Sequence, residues 1–83
     1  MPLQRTLNDT AIGESVVVEK LLMHGAMRRH LLDIGLTEGA RVKCTGRSPA
    51  GDPTAYLIRG AVIAIRADDS REILIREEEG AWD

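Results

Sequence analysis

The sequence predicts a mainly β domain: a small, partly open barrel of about five strands, with one short helix between the first and second strands. Three observations carry this. Five segments place apolar residues with a period of two and are separated by Gly, Pro, Asn, Asp or Ser. One segment alone, residues 25–34, spaces its apolar residues as a helix does. No internal repeat or low-complexity tract interrupts the pattern.

The elements follow in order. Leu7 is a lone apolar anchor ahead of the turn-forming Asn8-Asp9-Thr10 and Gly13. Ser15 to Leu22 reads as the first strand, with Val16 and Val18 on the inner face. His24-Gly25 ends it. In the helix, Met27, Leu31 and Ile34 fall at i, i+4 and i+7, while Arg29, His30 and Asp33 face away. Gly35 suits the left-handed position after the helix, and Leu36 then meets Leu31 in a Schellman ending. Thr37-Glu38-Gly39 makes a turn. A helix this short does not hold itself together in water and must dock on the strands.

Ala40 to Arg47 is the second strand, with Val42 and Cys44 inward, Arg41, Lys43 and Thr45 outward, and a bulge or edge at Gly46. The loop Ser48-Pro49-Ala50-Gly51-Asp52-Pro53 leads to the third strand, Thr54 to Arg59, with Tyr56 and Ile58 inward. Gly60 makes a short connection to the fourth, Ala61 to Ala67, with Ile63 and Ile65 inward. Asp68-Asp69-Ser70 forms a single helical turn in which one aspartate is expected to serve as N-cap. Arg71 to Glu77 is the fifth strand, with Ile73 and Ile75 inward. Beyond Glu77 an acidic, frayed tail is expected, where Trp82 has little to pack on.

The length of 83 residues suggests a single domain, its core at about 7–76 and the acidic tail at 77–83. A domain this small buries only about 60% of the surface its unfolded chain exposes, so its core is thin. With one Tyr, one Trp and no Phe, that core is aliphatic. The 11 basic and 13 acidic residues leave a charge of −2, against a nucleic-acid binder, which needs a basic surplus to displace counterions. The single cysteine excludes an internal disulfide and fits a reducing compartment. The N-terminus has no signal-peptide pattern, and the longest apolar run, Ala61-Val62-Ile63-Ala64-Ile65, is far short of a membrane span. A cytoplasmic, soluble protein is expected.

Catalysis finds little footing. Cys44 is the only thiol and lies on the apolar side of its strand, so an inert buried thiol is the better reading than a Cys/His pair. Asp68 and Asp69 are neighbours and do not converge as an acid/base pair. Neither phosphate-binding glycine pattern occurs. The chain reads as not an enzyme. For a metal, His24, His30 and Cys44, with Glu38, are the only loosely plausible ligands, and His24 and His30 cannot share a helical face. Arg28 and Arg29 stand out as cations able to meet a partner's acids, set against a solvated face with an Arg29–Asp33 pair. Val17, Leu57, Val62 and Leu74 fall opposite the core positions; together they would make an apolar contact patch unless the helix or N-terminal arm covers them.

Three stretches resemble the FeoA family of bacterial ferrous iron uptake: Arg28-Arg29-His30-Leu31-Leu32-Asp33-Ile34-Gly35-Leu36-Thr37-Glu38-Gly39, then Pro49-Ala50-Gly51-Asp52-Pro53, then Arg59-Gly60 leading into Ile63-Ala64-Ile65-Arg66. They occur in the family's order and spacing from about Leu7 to Ile75. Glu38 stands where the family often has Pro, and Thr54 where it usually has a bulkier residue. The resemblance implies an SH3-like barrel and a partner, the cytoplasmic region of the FeoB membrane iron permease. It also implies kinship with the C-terminal domain of DtxR-type repressors, which leaves a transition-metal carrier or sensor as the alternative. No cofactor is expected otherwise. Neither nucleic acid nor direct membrane insertion is expected, and weak self-association stays open. With so few aromatic residues, the chain cannot line the Pro-rich-peptide groove of eukaryotic SH3 domains. The expected partner contact is the helix face at Arg28 and Arg29 with the loop Pro49, Gly51, Asp52 and Pro53; Leu57 marks a rival face.

Overall fold

Period-two alternation becomes five antiparallel strands: β1 (Ser15–Leu21), β2 (Arg41–Arg47), β3 (Thr54–Ile58), β4 (Ala61–Ile65) and β5 (Ile73–Glu77). They form one sheet of order β4-β3-β2-β1-β5. The helix α1 (Gly25–Asp33) lies between β1 and β2, and a single turn, α2 (Ala67–Ser70), between β4 and β5. This computed structural model describes residues 4–78; most of the acidic tail, Trp82 included, lies outside them. Among the described residues no helix is long and apolar enough to cross a membrane.

Local chemistry sets the boundaries. Gly35 has φ +110°, its N–H donates to the Leu32 carbonyl at 3.1 Å, and the Leu36 N–H donates to the Leu31 carbonyl at 2.9 Å. That pair of bonds is the expected Schellman ending. Arg59 and Gly60 both have positive φ and join β3 to β4 in two residues, as a type I′ turn requires. A register shift between Cys44 and Gly46 is the bulge expected in β2.

The core gathers the inward strand residues with Leu31 of the helix. Of the expected core positions, Met27 is a correction: it is 39% exposed. Ile34 and Ile63 are only half-buried at the core's margin. The helix is short and docks chiefly through Leu31, so its first turn stands clear of the sheet. Leu7, Leu21, Met23 and Leu36 complete the core. The Tyr56 hydroxyl, 3.3 Å from the Leu7 carbonyl, is buried, and burial raises the phenol's pKa. Arg5 and Glu14 clamp the N-terminal arm, Nη1 to Oε2 at 2.8 Å.

The expected cap of α2 is also corrected. The N-cap is Arg66, and Asp68 and Asp69 lie inside the first turn. The capping carboxylate comes from the β2–β3 loop: the Ala67 N–H donates to Asp52 Oδ1 at 3.0 Å. β4 ends at Ile65, earlier than the alternation suggests, because this turn begins there.

Candidate functional site

The four outward apolar residues meet different fates. Val17 is only 9% exposed, since its cross-strand neighbours are Arg41 on β2 and Arg76 on β5. Both arginines are braced, Arg41 by Glu78 and Arg76 by Glu19, and their aliphatic stems screen the valine between them. Leu74 is half-buried where Thr6 of the N-terminal arm bridges to it. Leu57 and Val62, paired across β3 and β4, stay 36% and 64% exposed. The expected patch therefore shrinks to one cross-strand pair at the β3–β4 side, separated from Leu74 by β2 and β1.

Around Leu57 the sheet face is basic. A shallow groove of about 360 Å³ is lined by Leu57, Arg41, Lys43 and Arg59, with Ser15, Ala40 and Gly60. Lys43 lies directly across the strand pair from Leu57. Among the described residues neither Lys43 nor Arg59 forms an ion pair. Leu57 was legible in the alternation, and so were the outward Arg41 and Lys43; that they share a groove with Arg59 follows only from the hairpin.

The other expected contact residues have work inside the fold. Arg28 is half-buried, and its Nη1 donates to the Leu21 carbonyl at 3.1 Å. Arg29 is exposed and forms no ion pair with Asp33. Both line a depression with Gly25, Leu32 and Asp33 that contains no residue of the Pro49–Pro53 loop. In that loop Asp52 caps α2, its carbonyl accepts from the Ser48 hydroxyl at 2.8 Å, and the Pro53 carbonyl accepts from the Ser48 N–H at 3.1 Å. Pro49, Gly51, Asp52 and Pro53 are nonetheless exposed.

The metal candidates are not brought together. Cys44 is 1% exposed within the core, whereas His24, at the N-cap of α1, and His30, in its last turn, face solvent. Among the described residues no three His, Cys, Asp or Glu side chains gather to hold an ion. A second cleft, about 290 Å³, runs between α1 and β4 and is lined by Met27, His30, Ile34, Ile63, Ala64 and Arg66, among others. Nothing in the alternation announces it, since it depends on where the helix lands.

No curated protein matches the sequence. Among solved structures, the FeoA protein from Chlorobium tepidum is 28% identical with a TM-score of 0.84, the match covering 93% of this chain and 76% of that one. The FeoA-like protein from Clostridium acetobutylicum is 28% identical with a TM-score of 0.81, covering 93% and 90%. FeoA of Stenotrophomonas maltophilia, solved with zinc and described as a procaryotic SH3 domain protein, shares the fold at a TM-score of 0.77 and 24% identity, covering 87% of this chain and 89% of that one. The family model for the FeoA domain matches residues 5–77, nearly all of the sequence, and the chain belongs to the FeoA family.

Proposed function

We propose that this protein has no chemistry of its own and serves bacterial ferrous iron uptake by binding the cytoplasmic region of a FeoB-like permease and modulating it. Family membership over residues 5–77 is the observation that carries this reading. The protein then works in the cytoplasm, on the inner side of the permease. The contact is centred on Leu57, with Lys43 and Arg59 at its rim. An apolar centre with cations at its rim has the anatomy of an interface. It suits a partner segment that is acidic and apolar, and the cations steer its approach. Arg29 adds an exposed cation on the helix. Arg28 and the Pro49–Pro53 loop, engaged within the fold, contribute shape more than free charge.

The test is FeoB-dependent iron uptake with a parallel pull-down on the permease's cytoplasmic region. Leu57→Asp in a folded protein is expected to abolish both, and Arg28→Ala with Arg29→Ala to weaken them only modestly. If the arginine pair abolishes binding and Leu57→Asp leaves it intact, the contact is the helix face. If neither affects binding, the reading of this surface fails.

A metal-carrying role is the competing reading, favoured by the zinc in the Stenotrophomonas relative. Anaerobic calorimetry with iron(II) discriminates the two. A stoichiometric micromolar site lost on His24→Ala or His30→Ala supports the carrier; its absence supports the accessory role.

A further inference from the structure

The two edges of the sheet are treated differently. Along β5 the N-terminal arm closes the ladder: Thr6 bridges Leu74, the Ile75 N–H donates to the Arg5 carbonyl at 3.0 Å, and Gln4 Nε2 donates to the Ile75 carbonyl at 2.7 Å. Among the described residues, none bridges to β4 in this way. The Arg59-Gly60 turn makes Ile58 and Ala61 a hydrogen-bonded pair, so Ala61, Ile63 and Ile65 direct their amide groups at β3. Val62 and Ala64 therefore direct theirs away from the sheet. Among the described residues no donor or acceptor meets them.

Exposed edges are ordinarily protected by a charge, a proline, a bulge or a covering segment. Ala61-Val62-Ile63-Ala64-Ile65 carries no charge and no proline, and its pairing with β3 shows no register shift. Val62 is 64% exposed, and the α1–β4 cleft runs alongside the strand.

We propose that β4 is a homodimerisation edge, pairing antiparallel with β4 of a second copy to make a continuous sheet across the two chains. The occupant is argued from self-complementarity. A two-fold axis beside Ile63 sets Val62 opposite Ala64 of the second copy, and Ala64 opposite its Val62. These are the residues whose amide groups are free, and each pair exchanges both N–H···O bonds. The same register places Ile65 opposite Ala61, and Arg66 opposite Gly60, so no like charges meet. Val62 packs beside Ala64 on the outer face. The two Ile63 side chains meet on the inner face at the mouth of the α1–β4 cleft, beside the exposed Met27. Such an isologous contact closes at two copies.

The test uses the full chain in sedimentation equilibrium from low micromolar to millimolar protein, with amide hydrogen exchange read by NMR. The unmodified chain is expected to dimerise on concentration, with the Val62 and Ala64 amides gaining protection and the Ile63 amide protected throughout. Ala64→Pro removes an outward N–H only and is expected to be a folded monomer. Should it fail to fold, charge variants decide: Val62→Lys with Ala64→Lys opposes like charges across the axis, and Val62→Glu with Ala64→Lys opposes unlike ones. The first is expected to dissociate at least about tenfold more readily than the second. A chain that stays monomeric at millimolar concentration overturns the proposal, as does a folded Ala64→Pro that dimerises as before. Equal dissociation of the two charge variants overturns it too. Protection of these amides only when the permease's cytoplasmic region is added would assign the edge to that partner and equally overturn it.

Discussion

Gly35→Ala tests how α1 is held to the sheet. Gly35 sits at φ +110°, where an L side chain is disfavoured by about 1–2 kcal/mol. A Cβ there would also lie 2.9 Å from Arg59 Cδ and 3.3 Å from Ile58 Cγ2. The Arg59 stem ends in a flexible, exposed head and can swing away, whereas Ile58 is fully buried and can give little. The backbone therefore dominates, and the substitution is expected to destabilise by about 2 kcal/mol. In a domain of this size that lowers the melting temperature by roughly 8–16 °C. Thermal and urea unfolding read the effect. Repeating the substitution in an Arg59→Ala background isolates the contact part as a coupling energy. An unchanged melting temperature would refute the left-handed helix ending. A full rescue by Arg59→Ala would refute the claim that backbone strain outweighs the contact.

Further expectations rest on single bonds and burial. Asp52→Ala removes the carboxylate that caps α2 and is expected to cost about 1 kcal/mol in urea unfolding, with Asp52→Asn closer to the parent; equal effects would show that the cap is not what Asp52 contributes. Glu14, hydrogen-bonded by Arg5 and the Ala11 N–H, has its pKa lowered to about 2. Its stabilisation is therefore complete above the unfolded carboxylate range, near 4.5, and drains away as pH falls towards 2. Glu14→Gln should flatten that part of the stability profile, and an unchanged slope would count against the Arg5 clamp. Cys44, enclosed in the core, should react with a thiol reagent only at the rate of unfolding; fast labelling of the native protein would contradict its burial.

Much of the fold was legible because it depends on near neighbours. Alternation through Val16, Val18, Val42, Cys44, Tyr56, Ile58, Ile73 and Ile75 correctly gave the buried face, since a strand's side chains must alternate. The helix ending at Gly35 and the short connection at Gly60 were written in the residues that form them, whereas Arg59, expected as the last residue of the third strand, lies in the turn at φ +51°. The candidate site was less legible. Alternation marked Val17, Leu57, Val62 and Leu74 as outward, and it could not report which of them a neighbouring strand or arm would cover. Asp52 was expected at the partner contact, and the group it binds within the fold, the Ala67 N–H, is remote in sequence.

The sequence by itself determined the family, the order of the elements and the aliphatic core, because motif order, turn residues and periodicity are local properties of the chain. The tertiary structure alone decided which surface remains available. It screened Val17 beneath two arginine stems, closed the β5 edge with the N-terminal arm and turned Arg28 and Asp52 to structural use. Among the described residues, it also left the edge of β4 and the basic groove around Leu57 uncovered. Those outcomes depend on where segments distant in sequence come to rest, and burial and hydrogen bonding between them are settled only when the sheet has formed.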